Sequence, residues 1–216
     1  RLADIFMEQQ ARNVECLELV TPTQYIPVII RALKIARDAG LELTVVYNTN
    51  AYETIESIEM LAEYVDVFLP DMKYFDEAAA VEYSHAPGYF KTASATIKKM
   101  FDITGPAVME NNMLKKGVLV RHLILPWLYK DSIEIVNWLW KSFGDGIYIS
   151  LMNQYTPTYR ADKFPKINRK ITTYEYQQVI NRALDLGIKK CFVQEKGSSS
   201  EKFIPCFNGD NVLPSN

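Results

Sequence analysis

The sequence predicts an α/β fold, an open or partial barrel of parallel strands with helices between them. Two observations carry this. Short apolar runs recur along the chain, and a polar cluster directly follows several of them. Leu17-Glu18-Leu19-Val20 leads into Thr21-Pro22-Thr23-Gln24, residues 43–47 into Asn48-Thr49-Asn50, 65–70 into Asp71-Met72-Lys73, and 147–152 into Asn153-Gln154-Tyr155. The stretches between these runs have helical spacing, so the chain reads as repeating β/α units with right-handed crossovers. Loops that follow the strands of such a sheet open on one side, where sites are built. The clusters therefore point to one shared site.

Each element has its own warrant. Leu2, Ile5, Phe6 and Gln9 fall at helical spacing, and no capping residue precedes them, so residues 1–10 read as mid-helix and an upstream segment is expected. Residues 16–20 form a short strand. Ile26, Ile29, Ile30 and Leu33 mark an amphipathic helix over 25–38, with Pro27 in its first turn and Gly40 as its stop. Residues 43–47 and 65–69 are apolar enough for buried parallel strands, and 53–64 is a helix between them. Two helices are expected over 76–103, broken at His85-Ala86-Pro87-Gly88 because a Pro-Gly pair favours a turn. Residues 106–116 suit an edge hairpin with Asn111-Asn112 at its tip. The strongest strand spans 117–125, followed by a helix over 132–143 and a strand over 147–152. A long loop over 156–171 precedes a helix over 173–186, stopped by Gly187, and 191–194 closes a set of six strands. Residues 1–205 are expected to form one domain, with Gly197-Ser198-Ser199-Ser200 as a flexible joint, Phe203-Ile204-Pro205 docked on the body, and 206–216 a tail.

Bulk composition narrows the function classes. Lys+Arg is 24 against Asp+Glu at 26, with the signs mixed, which weighs against nucleic acid as partner. The richest basic stretch, 163–170, reads as a solvated loop. No apolar run approaches the roughly 18 residues of a membrane span and no signal-peptide pattern opens the chain, so a cytoplasmic protein without membrane contact is expected. Three cysteines, Cys16, Cys191 and Cys206, are odd in number and widely separated. They form no disulfide framework, and no CxxC-type pair offers a metal ligand set.

A few residues carry chemical information. Asp71 and Lys73 lie two apart at a strand end and so point to the same side; Lys73 either holds an anionic ligand group or pairs with Asp71. Arg121 sits in an otherwise largely apolar strand and shares a face with Leu119 and Leu123. A guanidinium there needs an anionic or carbonyl partner, whether a ligand carboxylate, Asp71 or Glu18. His122, on the opposite face, reads as a core histidine. Asn48, Thr49 and Asn50 offer short donors and acceptors past a buried strand, as do Asn153, Gln154 and Tyr155. No Ser/His/Asp triad logic, glycine-rich phosphate loop or matched carboxylate pair is present. The residues alone describe a polar, cation-containing pocket for a small anionic or zwitterionic ligand.

Five collinear segments, LVTPTQYIP, VVYNTNAYE, VDVFLPDMKYFD, VLVRHLILP and YISLMNQYTP, resemble radical S-adenosylmethionine (SAM) proteins of the pyruvate-formate-lyase-activating-enzyme type. The resemblance runs from about Arg1 to Pro205. It implies a partial (β/α) barrel of the radical SAM type, here lacking the first strand and the CxxxCxxC loop that holds a 4Fe–4S cluster. In the family, the cluster's open iron binds SAM, and reduction yields a 5′-deoxyadenosyl radical; a reductant such as flavodoxin or ferredoxin supplies the electron. The partner of an activating enzyme is a glycyl-radical protein; for this chain a glycyl-radical partner, a small metabolite and another macromolecule all stay open as substrate. Carried over, Thr21, Pro22 and Thr23 match the segment that meets the SAM amino group. Asn48, with Asn50 beside it, lies near the ribose or methionine end, Lys73 reaches the SAM end, and Arg121 matches an arginine on the same strand. Tyr155, next to Asn153, falls near a histidine position. Departures are Trp127, where glycine is usual, and Gln24 in place of histidine. Without cluster cysteines the resemblance implies a chain inactive alone, with an exposed sheet edge prone to pairing. Two other readings stay open: a non-catalytic small-molecule-binding module on this fold, and a barrel lyase or aldolase with Lys73 as a Schiff-base lysine.

Overall fold

The computed structural model describes residues 1–194. Helix α1 (Leu2–Ala11) leads into β1 (Cys16–Val20), and β/α units follow: α2 (Ile26–Asp38), β2 (Thr44–Thr49), α3 (Ile55–Glu59), β3 (Val67–Pro70), α4 (Glu77–Ser84) and α5 (Tyr89–Thr104). A hairpin of β4 (Val108–Glu110) and β5 (Met113–Leu123) comes next, then α6 (Tyr129–Phe143), β6 (Tyr148–Met152), α7 (Thr173–Asp185) and β7 (Cys191–Val193). The sheet runs β1-β2-β3-β5-β6-β7, every neighbouring pair parallel, with β4 antiparallel on β5. It is the open α/β sheet the sequence predicts.

Local chemistry explains the element ends. Pro27 sits in the first turn of α2, where its missing N–H costs nothing. Asp76 caps α4 by accepting from the Ala79 N–H, and Thr172 and Glu175 form a reciprocal capping box on α7. The break between α4 and α5 falls where expected: His85 and Gly88 both take left-handed backbone there. Asn111 and Asn112, both at positive φ, turn the β4–β5 hairpin. Gly117 is the kink beyond it. A Cβ at that position would lie 2.6 Å from the Ala107 Cα, so only glycine lets the chain pass.

Two sequence expectations shift. The helix expected over 53–64 holds only as α3, because residues 60–64 turn to drop Leu61 and Val65 into the core. The strand expected to end at Tyr47 continues through Asn48 and Thr49, which are buried ladder residues instead of loop residues. Tertiary pairing with β3 overrides the polar composition of these two positions.

Side-chain alternation divides the sheet into two unlike faces. In β5, Val118, Val120 and His122 are buried against the helices, whereas Leu119, Arg121 and Leu123 are only partly covered. The same division puts Tyr47, Phe68, Ile149 and Leu151 into the core with Leu33, Ile97, Ile135 and Leu139. Apolar burial on the helix side stabilises the sheet by roughly 25 cal/mol per Å². The opposite face stays half open and carries the polar side chains that matter below.

Candidate functional site

On the half-open face, β1, β2 and β5 each contribute one polar side chain, and the segment just after β3 two, to a continuous row. Glu18 of β1 accepts from the Asn48 side-chain N–H at 2.6 Å. The Asn48 side-chain Oδ1 in turn accepts from Arg121 Nη2 at 2.8 Å. Arg121 Nε donates to Asp71 Oδ1 at 2.8 Å, and Lys73 Nζ reaches Asp71 Oδ2 at 3.0 Å. Arg121 and Asp71 face each other as a parallel bridge pair, so backbone register sets this contact. Of the partners the sequence allows for Arg121, Asp71 is therefore the direct one, and Glu18 is joined only through Asn48.

The row is not closed on itself. Arg121 and Lys73 share one carboxylate at its centre, and Glu18 at its edge brings the formal charge of the row to zero. Among the described residues, Arg121 Nη1 and Glu18 Oε2 carry no hydrogen-bond partner, and the Glu18 side chain is exposed. An ammonium acceptor and a guanidinium donor thus stand on one face, with Asn48 between them. Such a row is matched to a zwitterionic ligand.

The loops after the strands frame the row. Thr21 has φ +47°, and its N–H donates to the Asn48 carbonyl at 2.7 Å. Pro22 is buried beside it, and Thr23 Oγ1 accepts from the Tyr47 hydroxyl at 3.4 Å. Asn50 is exposed; its side chain accepts from the Tyr52 N–H at 3.0 Å, an Asx turn, and its carbonyl faces the Tyr89 hydroxyl. Asn153 is tied to Gln194 by its backbone N–H at 2.9 Å, away from the row's hydrogen bonds. Four non-glycine residues in the loops after β1, β2, β5 and β6 take left-handed backbone: Thr21, Ala51, Trp127 and Tyr159. Strain collected at one end of a sheet is a mark of a functional surface.

Tyr155 belongs to a cavity of about 330 Å³ at that same end. Lys73 forms part of its wall, so the cavity adjoins the row. Burial raises the Tyr155 hydroxyl above its ordinary value, with Tyr74 nearby adding to the effect. Lys73 is held by a carboxylate, unlike the desolvated or cation-flanked lysine that Schiff-base chemistry uses.

Solved structures share this arrangement of elements. A domain of pyruvate-formate lyase-activating enzyme from Bacteroides vulgatus superposes with TM-score 0.61 at 14% identity, covering 84% of this chain and all of that one. The fold is that of the radical SAM partial barrels. SuiB of Streptococcus suis, solved bound to S-adenosylmethionine, gives TM-score 0.57 at 16% identity over 89% of this chain and 41% of its own. SuiB bound to its precursor peptide SuiA gives TM-score 0.59 at 16% identity over 89% and 42%. By sequence, the uncharacterized protein MJ0674 of Methanocaldococcus jannaschii is 31% identical over 166 residues. Those residues are 76% of this chain and 43% of the relative, so the chain spans less than half the relative's length. No family model matches.

Several supporting residues escape sequence reasoning. Tyr89, at the start of α5, is buried, and its hydroxyl ties three strand-end groups. It accepts from the Lys73 N–H at 3.0 Å and lies within donating distance of the Asp71 carbonyl, 2.7 Å, and the Asn50 carbonyl, 3.0 Å. Burial raises its pKa, so the hydroxyl keeps its proton. Glu53, also buried, accepts from the hydroxyls of Tyr47 and Thr49 behind β2. Glu175 gathers Arg169, Thr172 and the Trp127 N–H around one carboxylate. His122 behaves as a core residue: Nδ1 donates to the Met72 carbonyl at 2.6 Å, and burial lowers its pKa to about 4, so it is neutral. Its Nε2 has no partner among the described residues. Glu18, a charged residue at an alternating position in a short strand, gave the same kind of signal as Arg121. Tyr89 and Glu53 gave none, since each reads as an ordinary helix-start residue.

Proposed function

We propose that this chain is the SAM-binding core of a radical SAM enzyme, and that the row Glu18, Asn48, Arg121, Asp71 with Lys73 receives the amino-acid end of SAM. The observation that carries the reading is this row, with an uncommitted acceptor and an uncommitted donor on the open face of a radical SAM partial barrel. SuiB, solved with SAM on the same fold, supports it. Glu18 accepts from the ammonium, Arg121 Nη1 donates to the carboxylate, and Asp71 holds the guanidinium in place. The Thr21-Pro22-Thr23 turn borders the ammonium end, and Asn50 lies toward the ribose.

The described residues do not fit a 4Fe–4S cluster. They contain no group of three side chains that could hold a metal ion, and Cys16 and Cys191 stand on opposite edge strands. In this reading the cluster ligands come from outside residues 1–194, in a protein longer than this chain. A cluster held by residues outside 1–194 would supply the radical chemistry, which is the cofactors' own. This chain's residues bind and orient the amino acid and shield the site with the strand-end loops. A flavodoxin or ferredoxin is the matching reductant, and a glycyl-radical protein or a small molecule the substrate.

Equilibrium dialysis of the 216-residue chain with radiolabelled SAM tests the reading without requiring a cluster. Saturable binding, weakened about tenfold or more in Arg121→Gln, is the expected outcome, since one charge-assisted hydrogen bond is lost. Absence of saturable binding, or full retention in Arg121→Gln, overturns the assignment of the row.

A further inference from the structure

The cavity beside Lys73 is chemically unlike the row it adjoins. Two of its lining side chains, Lys73 and Arg160, are cations, and no carboxylate is among the described residues that line it. Among the described residues, the Lys73 ammonium makes one carboxylate contact, to the Asp71 it shares with Arg121, which leaves it donors for an anion entering the cavity. The floor is apolar, from Leu123, Leu125 and Phe164. The Tyr74 and Ser84 hydroxyls are hydrogen-bonded to each other at 2.8 Å, which leaves one O–H of the pair to donate. Tyr155 is part of the wall without a hydrogen-bond partner among the described residues, leaving its hydroxyl as a donor. At about 330 Å³ the cavity lies at the small end of ligand sites.

We propose that this cavity binds a small organic acid with an aromatic or branched apolar body, its carboxylate toward Lys73 and its body on the Leu123–Leu125 floor. As the identity of a substrate this rests on the radical SAM reading; as a binding site it does not. SAM itself is a poor match for the cavity, because its adenosine half is uncharged and its sulfonium is cationic. Residues 155–167 and the end of α4, at Tyr83 and Ser84, supply most of its remaining walls. An acid held here stands next to the row, so the two ligands would be neighbours.

Fluorine NMR with para-fluorophenylacetate on the full 216-residue chain tests the proposal, with and without S-adenosylhomocysteine. Saturable line broadening that survives S-adenosylhomocysteine is expected. It should weaken about tenfold in Lys73→Met and in the exposed-site variant Arg160→Met, the worth of one charge-assisted contact. Thr158→Trp, at an exposed position of the rim, should block the cavity without disturbing the core. The neutral 2-(para-fluorophenyl)ethanol should bind at least as weakly as the acid does to Lys73→Met. Equal binding of the alcohol, no saturable binding of the acid, or competitive displacement by S-adenosylhomocysteine overturns the proposal. The last would give the cavity to the cofactor. SAM binding with no acid binding leaves the row's assignment standing and removes this one; acid binding with no SAM binding does the reverse.

Discussion

At the scale of single residues, the site is held by groups that never face its ligand. The Tyr89 hydroxyl joins the ends of β2 and β3 through Asn50, Asp71 and Lys73, and so fixes where Lys73 leaves the backbone. Tyr89→Phe keeps the ring packing against Tyr52 and Tyr74 but strips three polar groups of their shared partner. It should cost about 1–3 kcal/mol in denaturant unfolding. It should also weaken SAM in equilibrium dialysis, a loss that a merely structural hydroxyl would not cause in folded protein. Trp127 presents the opposite case. Its φ of +72° lies in the left-handed region, and the residue is 61% exposed, so strain is borne without much burial in return. Trp127→Gly should raise stability by about 0.5–1 kcal/mol, relief of the left-handed strain outweighing glycine's extra chain entropy. A fall in the unfolding midpoint would show that the indole packs more firmly than its exposure implies.

At the scale of elements, one carboxylate fastens three pieces of chain. Glu175 caps α7, pairs with Arg169 at 2.7 Å in the loop before it, and accepts from the Trp127 N–H at 2.6 Å in the loop after β5. Arg169 falls in the basic stretch that reads as a solvated loop, but it is an anchor and not a free charge. Its hydrogen bonds, with those of Thr172 and Trp127, lower the Glu175 pKa from 4.5 to about 2. A carboxyl with a depressed folded-state pKa stabilises the fold above its unfolded value, and that stability is lost as pH falls through the folded one. The contribution is therefore full above pH 4.5 and gone near pH 2, and amounts to at most about 3 kcal/mol. In urea melts the native chain should lose stability across this window, whereas Glu175→Gln should start lower and stay flatter. Parallel curves for the two proteins would remove Glu175 from the account.

At the scale of the whole molecule, the parallel strands and the shared strand-end site are legible because such strands announce themselves as apolar runs closed by polar clusters. Arg121 was legible for the same reason, as a charge where the pattern calls for none. The polarity of Asn48 mimics a strand end, whereas its pairing with Leu69 and that of Thr49 with Pro70 carry β2 two residues further. Tyr89, Glu53 and Glu175 could not be read in advance. Each acts through contacts far away in sequence, and an aromatic or acidic residue at a helix start has many commoner explanations. The hairpin was legible from Asn111-Asn112, whereas the need for Gly117 arises only from the close approach of Ala107.

The division of β5 into Val118, Val120 and His122 on one side and Leu119, Arg121 and Leu123 on the other bears on how such a protein can change its trade. Neighbours in the gene answer to different masters. Every second codon governs whether the chain folds, and the codons between them govern what it holds. Substitutions at the odd-numbered positions can therefore drift toward a new ligand while the even-numbered ones keep the scaffold solvent-tight. In this strand, inheritance of the fold and innovation at its open face are written in alternate letters.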